Sequence, residues 1–273
     1  MEYFIGEYNI RDVQKKMLDI LIEVDRVCKE NDIRYVLDSG TLLGAIRHKG
    51  FIPWDDDIDI FMPRPDYERL IELIKDSERY KLLENTDKDY YYNFGKLVDK
   101  HTAMIERGNE SINGMGVYID IFPLDGMPNN EGERAKHFEK LDKIRRRITS
   151  FSVGKPHFRK NLGILLVNWF YYITNKTTSI QLEQKKYIEL AKQYSYDSSE
   201  FVYATGGAYK KKDIFPRAWL SAGTELTFES VKFQVPTEYD KYLKQLYGNY
   251  MELPPVEKRV SHHHFVAHYI DKK

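Results

Sequence analysis

The sequence predicts an α+β fold: a small mixed sheet flanked by helices, interrupted by a helical insertion and closed by a C-terminal lobe. Three observations predict it. Helical and strand periodicities alternate through the first half of the chain; a stretch rich in Lys, Arg and Glu from about residue 131 to 193 then reads as helix only; short strands return from Phe201 onward. The expected division is a core over residues 1–128, a helical insertion over 129–198, and a lobe over 199–273 that packs back on the core. At 273 residues the chain is long enough to bury a sizeable interior.

From Arg11 to Lys29, Val13, Met17, Leu18, Leu21, Ile22 and Val24 recur at helical spacing, and Asn31 ends the helix. Arg34 to Leu37 is a short strand, broken by Asp38-Ser39-Gly40-Thr41, after which TLLGAIRH continues as a short helix. Ile58 to Met62 is a second strand, closed by Pro63 before a helix from about Pro65 to Lys75. Further strands are expected near Tyr80–Leu83, Asn93–Val98 and Val117–Phe122, with Asp125 and Gly126 read as a turn. In the insertion, the apolar run NLGILLVNWFYYIT falls short of the ~20 residues of a membrane span and is read as a buried helix. Its Trp169, Phe170, Tyr171 and Tyr172 leave the other option, one face against a membrane interface. Beyond Phe201, GTELTFESVKFQVP reads as a hairpin, Glu238 to Leu246 as a helix, and Pro254-Pro255 as a stop.

Lys+Arg and Asp+Glu balance at 42 each, so no overall basic field draws the chain to nucleic acid. The single cysteine, Cys28, allows no disulfide framework and suits a reducing, cytoplasmic setting; in its amphipathic helix it reads as a packed thiol. No basic segment followed by an apolar run marks the start as a signal peptide. The 21 Tyr and 14 Phe suit stacking on sugars or bases, and equally an aromatic core.

The chemistry concentrates in FIPWDDDIDIF, where four carboxylates fall in five positions at the entrance to a strand. Residues two apart on a strand share a face, so Asp57 and Asp59 are expected to point together while Ile58 and Ile60 enter the core. Two carboxylates on one face repel unless a cation lies between them, and Mg²⁺, or Mn²⁺, fits because it takes a few carboxylates plus substrate phosphate oxygens. Asp120, alone among apolar neighbours in GVYIDIFPLDG, supplies the third carboxylate. At Ser39-Gly40-Thr41 a strand turns into a helix whose first amides can bind an anion, and Gly40 lets the backbone approach it closely. Together these parts describe phosphoryl or nucleotidyl transfer.

The run YVLDSGTLLGAIRHKGFIPWDDDIDIFMPRPDYERL closely resembles the defining motif of the LicD family, which includes the fukutin-type phosphotransferases and belongs to the nucleotidyltransferase-fold superfamily. The resemblance continues through NFGKLVDKHTAMI and GVYIDIFPLDGMP and returns in the tail EYDKYLKQLYGNYMELPPVEKRVSHH. It implies a nucleotidyltransferase-like catalytic core and a transferase of a phospho-alcohol, typically phosphocholine from CDP-choline, onto teichoic acid, lipopolysaccharide or capsule. It implies metal ligands at Asp57, Asp59 and Asp120 and a phosphate-binding turn at Ser39-Gly40-Thr41, where Thr41 replaces the family's small residue. The expected partners are then a CDP-alcohol donor and a lipid-linked glycan acceptor at the inner membrane face, with peripheral membrane contact. A carboxylate, Asp55 or Asp120, would take the acceptor hydroxyl's proton.

Other residues carry paired readings. Lys96 neutralises a phosphate, or is a surface lysine beside Asp99. Arg47, His48 and Lys49 bind substrate phosphate, or brace the acidic loop. Trp54 stacks on a base or a quaternary ammonium group, or packs behind the loop. Asp38 caps the short helix. In Ser261-His262-His263-His264, structural zinc is improbable at adjacent positions, and His262 or His263 reaching the site is the better expectation. Two alternatives complete the reading: a nucleotidyltransferase that leaves NMP on a small molecule or protein, and a scaffold that binds nucleotide or glycan without catalysis.

Overall fold

The structure, a computed structural model, describes residues 4–7, 9–87, 90–106, 112–151, 162–260 and 265–270. In chain order its elements are β1 (Phe4–Glu7), α1 (Ile10–Glu30), β2 (Val36–Leu37), α2 (Ser39–Arg47), β3 (Asp59–Pro63), α3 (Arg64–Ile74), β4 (Tyr80–Leu83), β5 (Gly95–Asp99), β6 (Thr102–Glu106) and β7 (Tyr118–Met127). Then follow α4 (Glu131–Phe151), α5 (Leu162–Thr174), α6 (Ile180–Ala191), β8 (Phe201–Ala204), β9 (Ile214–Pro216), β10 (Thr224–Phe228), β11 (Val231–Val235), α7 (Tyr239–Tyr247) and β12 (Phe265–Ile270). The fold is α+β with a mixed sheet, as the sequence predicts.

The Asn9 side chain starts α1 by accepting the Asp12 N–H at 3.0 Å, and Val13, Met17, Ile20, Leu21 and Val24 are buried along its apolar stripe. The central sheet runs β2-β3-β7-β5-β4, with β8 on the far half of β7 and β9 beyond it. Only β3 and β7 pair in parallel; the ladders β2–β3, β5–β7 and β4–β5 are antiparallel. Ile60 and its register partner Ile121 are fully buried, so one face of this pair is core, and the residues beside them in sequence turn to the other face.

One hydrophobic cluster joins α1 and the sheet to Phe228, Phe233, Tyr242 and Leu243. A second gathers Phe138, Leu141 and Ile148 of α4 with Tyr187 and Ala191 of α6 and with Met127 and Tyr203. The predicted hairpin is β10–β11, in register from Thr224↔Val235 to Phe228↔Val231.

Two expectations are corrected. Asp125 and Gly126 do not turn the chain but lie inside β7. Asp125 is almost fully buried because Arg64 donates to both its oxygens, at 2.8 and 2.6 Å, and Thr205 adds a hydroxyl at 2.5 Å. Gly126 serves a close approach, since a Cβ there would collide with the Ser195 carbonyl. The apolar helix α5 is not buried either: Leu166, Phe170 and Ile173 are 62%, 62% and 58% exposed. Among the described residues no helix is long and apolar enough to cross a membrane.

Candidate active site

Strands in register set side chains in rows across a sheet. The Asp38 N–H donates to the Asp59 carbonyl at 3.0 Å, Asp59 stands opposite Asp120, and Asp120 stands opposite Lys96. The resulting row, Asp38, Asp59, Asp120, Lys96, brings residues from four distant segments to one line with an excess of negative charge.

Lys96 is almost fully buried and gives its ammonium to both oxygens of Asp120, at 2.7 and 3.0 Å. Its Nζ lies 3.7 Å from the centre of the Tyr118 ring, 5.0 Å from Tyr92 and 5.3 Å from Phe94. A buried ammonium is tolerable only with such a counter-charge and ring faces around it. The reading of Lys96 as a surface lysine beside Asp99 is therefore corrected: Asp99 bonds Arg79 instead, at 3.3 and 3.2 Å.

Asp55, Asp56 and Asp57 occupy the loop between α2 and β3, and each offers a carboxylate oxygen within 4.8 Å of the other two. Asp55 and Asp56 are buried and Asp57 half-buried. Because β3 begins at Asp59, Asp57 precedes the strand, and the loop rather than strand alternation sets its position. Gln14 of α1 pins that loop by donating to the Asp55 carbonyl at 2.8 Å. Burial holds the Asp59 carboxyl well above the usual carboxylate range, and the charges of Asp57, Asp120, Asp38 and Asp55 push the same way. Crowded oxygen donors that raise one another's proton affinity are the donor set a hard divalent cation requires, so the residues fit Mg²⁺ or Mn²⁺.

The predicted turn lies beside this loop. Ser39 adopts a left-handed backbone, φ 45°, as β2 turns into α2. A Cβ on Gly40 would stand 2.7 Å from an Asp55 carboxylate oxygen, so glycine is what lets Asp55 nest against the first turn of α2. Thr41 is buried, and its hydroxyl accepts the Asp59 N–H at 2.9 Å, fixing where β3 begins. Asp38 makes no capping bond, contrary to expectation; it accepts the Tyr242 hydroxyl. Burial pushes the Asp38 carboxyl up to about 7, against the hydrogen bonds from Tyr242 and Ser39.

Arg47 turns to the tail, donating to the Tyr250 carbonyl at 2.8 Å and the Glu252 carbonyl at 3.3 Å. Trp54 is half-buried between the His48 ring, edge-on at 6.2 Å, and the Arg259 guanidinium at 5.7 Å. His263, with its neighbours in the 261–264 run, lies outside the described residues. Sequence reasoning missed the C-terminal contribution to the Asp38 turn. Tyr242 reaches it from 204 positions away, Tyr209 and Tyr247 join hydroxyls at 3.2 Å, and the Asp213 carboxyl is pushed up to about 7 by burial and then by the Asp38 charge. The tyrosine-rich tail EYDKYLKQLYGNY, which holds Tyr242 and Tyr247, carried the resemblance but not these contacts.

Residues 32–152 match the family model described as LicD/FKTN/FKRP, nucleotidyltransferase domain. The chain is 29% identical over 263 residues to the lipopolysaccharide cholinephosphotransferase LicD of Haemophilus influenzae, covering 93% of this chain and 96% of that protein. Shorter matches join it to uncharacterized proteins of Rickettsia prowazekii, 32% identical over 74 residues (27% of this chain, 28% of that one), and Rickettsia typhi, 46% over 50 residues (17% and 16%). The matched segment holds the Asp38 turn, the acidic loop, Lys96 and Asp120, and the Haemophilus alignment carries the likeness through both ends: residues 32–152 match the LicD nucleotidyltransferase domain, and the chain as a whole is similar to a LicD protein.

Proposed function

We propose that this chain is a metal-dependent phosphotransferase that moves phosphocholine, or a related phospho-alcohol, from a CDP-activated donor to a cell-surface glycan and releases CMP. The observation that carries the proposal is the convergence of Asp55, Asp56 and Asp57 on oxygens within 4.8 Å of one another, next in the chain to Asp59 and its register partner Asp120, an oxygen-donor set of the kind that holds a divalent cation. The near full-length likeness to a protein named as a lipopolysaccharide cholinephosphotransferase supports the choice of phosphocholine and of a glycan acceptor. The proposed place of action is the cytoplasmic face of the membrane, on a lipid-carried glycan.

Asp57 and Asp59, with Asp120 or the rest of the acidic loop, would hold Mg²⁺ or Mn²⁺, which when bound offsets the charge of the donor diphosphate. The start of α2 at Gly40 and Thr41 would offer its N–H groups to a donor phosphate, while the Ser39 N–H donates to the Tyr242 hydroxyl at 3.4 Å. In the transfer an acceptor hydroxyl oxygen bonds to the phosphorus of the phospho-alcohol while the bond to the CMP oxygen breaks in line. Of the two carboxylates proposed to take the hydroxyl proton, Asp55 is favoured, because both oxygens of Asp120 already accept from the Lys96 ammonium. Lys96 holds Asp120 in its row through that ion pair.

The test is product analysis with a panel of CDP-alcohols and candidate glycolipids. CMP release with phosphocholine on the glycan supports the proposal. The nucleotidyltransferase description of the matched domain favours one alternative, nucleotide transfer, and retention of CMP on the acceptor would establish that reading instead.

A further inference from the structure

We propose that α5, the basic end of α4 and Lys176 form a docking face for an anionic lipid bilayer. The inference deepens the reading of the acceptor as a lipid-carried glycan and rests on that reading for its purpose, though not for the binding itself.

Leu166, Val167, Phe170 and Ile173 recur at helical spacing and are 62%, 53%, 62% and 58% exposed, with Trp169 beside them at 37%. A soluble surface scatters its exposed apolar residues; a contiguous aliphatic and aromatic stripe on one helix marks a surface that something covers. Charge identifies the cover. The chain is neutral overall, yet between residues 143 and 182 there are eight lysines and arginines and no aspartate or glutamate. That window contains the whole of α5 and the basic end of α4, and the two elements are tied together: Arg147 donates to the Thr174 carbonyl at 3.2 Å, and Asn175 donates to the Ser150 hydroxyl at 3.0 Å.

The acids that neutralise this region lie just outside the window and underneath it. Asp142, which pairs Arg145 and Arg146, and Glu183, which pairs Lys186, have side chains only 7% and 5% exposed, whereas Arg146 and Lys186 are 69% and 50% exposed. An approaching surface therefore meets cations and apolar groups. A helix of 13 residues with that pairing is too short to span a bilayer and suited to lie in its interface, where apolar side chains enter the acyl boundary and basic ones meet anionic headgroups.

The test uses the full chain and two vesicle types, phosphatidylcholine containing phosphatidylglycerol and phosphatidylcholine alone. The expected result is co-sedimentation with the anionic vesicles, weakened by salt, together with a blue shift of tryptophan emission that Trp169→Phe removes. The double variant Leu166→Glu with Phe170→Glu, both at exposed positions, should lower vesicle affinity by about tenfold or more, and Lys176→Glu should lower it by a smaller factor. Wild-type protein that stays in the supernatant, or a double variant that binds as well as wild type, overturns the proposal. So does a wild-type dimer that ignores vesicles and is broken by the same double variant, because a second copy would then be the cover. CMP release from CDP-choline with a water-soluble glycan acceptor should be unchanged in all these variants; its absence from wild type would overturn the proposed reaction while leaving the vesicle result to decide the docking face.

Discussion

Burial first, and then the charges of Asp57, Asp120, Asp38 and Asp55, disfavour a charged Asp59, and that fixes what removing a carboxylate here should do. Asp57→Asn or Asp59→Asn removes a carboxyl group from a crowded cluster in which burial and neighbouring charges disfavour ionisation of Asp59, so thermal stability should hold or rise while transfer falls by about a hundredfold or more. Parallel melting curves and CMP assays check both halves; a stable variant with near-normal turnover would remove that residue from the metal site. Lys96 behaves in the opposite sense. Lys96→Met strands the buried Asp120 carboxylate and should cost on the order of 3–5 kcal/mol in denaturant unfolding. Adding Asp120→Leu should recover most of that loss without restoring transfer. If Lys96→Met alone is neutral, the pair does not hold the sheet row together.

At the scale of elements, α2 and the start of β3 are joined by two small features. Gly40→Ala places a methyl group against the Asp55 carboxylate; the expected outcome is a loss of transfer of about tenfold or more with a stability change near or below about 1 kcal/mol, since alanine suits a helix. Kinetics and unfolding on the same variant separate the two. The elements themselves were legible because each depends on local pattern: α1 on its apolar stripe, β3 on an apolar run closed by Pro63, the β10–β11 hairpin on two strand-like runs with a turn between. What was not legible depends on pairing. That Lys96 meets Asp120 rather than Asp99 follows only once β5 and β7 are known to be antiparallel neighbours in a given register. Asp125-Gly126 has the composition of a turn, and nothing local tells that Arg64 and Thr205 will bury it within β7. The apolar pattern of α5 indicates helix but not what covers the helix, so its exposure was misread.

Over the whole molecule, the same logic applies to the C-terminal contribution: Tyr242 bonds Asp38 across 204 positions, and the charge of Asp38 acts on Asp213, pairings that follow only from the fold. Asp213 gives it a pH signature. Its carboxyl is pushed up to about 7 in the folded chain, above the unfolded value of about 3.9, so the folded state binds the extra proton between those values. Stability should therefore fall as pH rises from about 4 to about 7 and level off above, by at most about 1.4 kcal/mol per pH unit from this group. Asp213→Asn should flatten its share, seen as a Tm advantage over wild type that grows from pH 5 to pH 8; a constant difference would show that Asp213 ionises normally. The most direct test of the central reading is CMP release from CDP-choline with a glycolipid acceptor, run with Mg²⁺, with Mg²⁺ chelated by EDTA, and with Asp57→Asn. Release by wild type with Mg²⁺ alone is the predicted result; release that survives both chelation and Asp57→Asn would contradict a metal-dependent transferase built on the acidic loop.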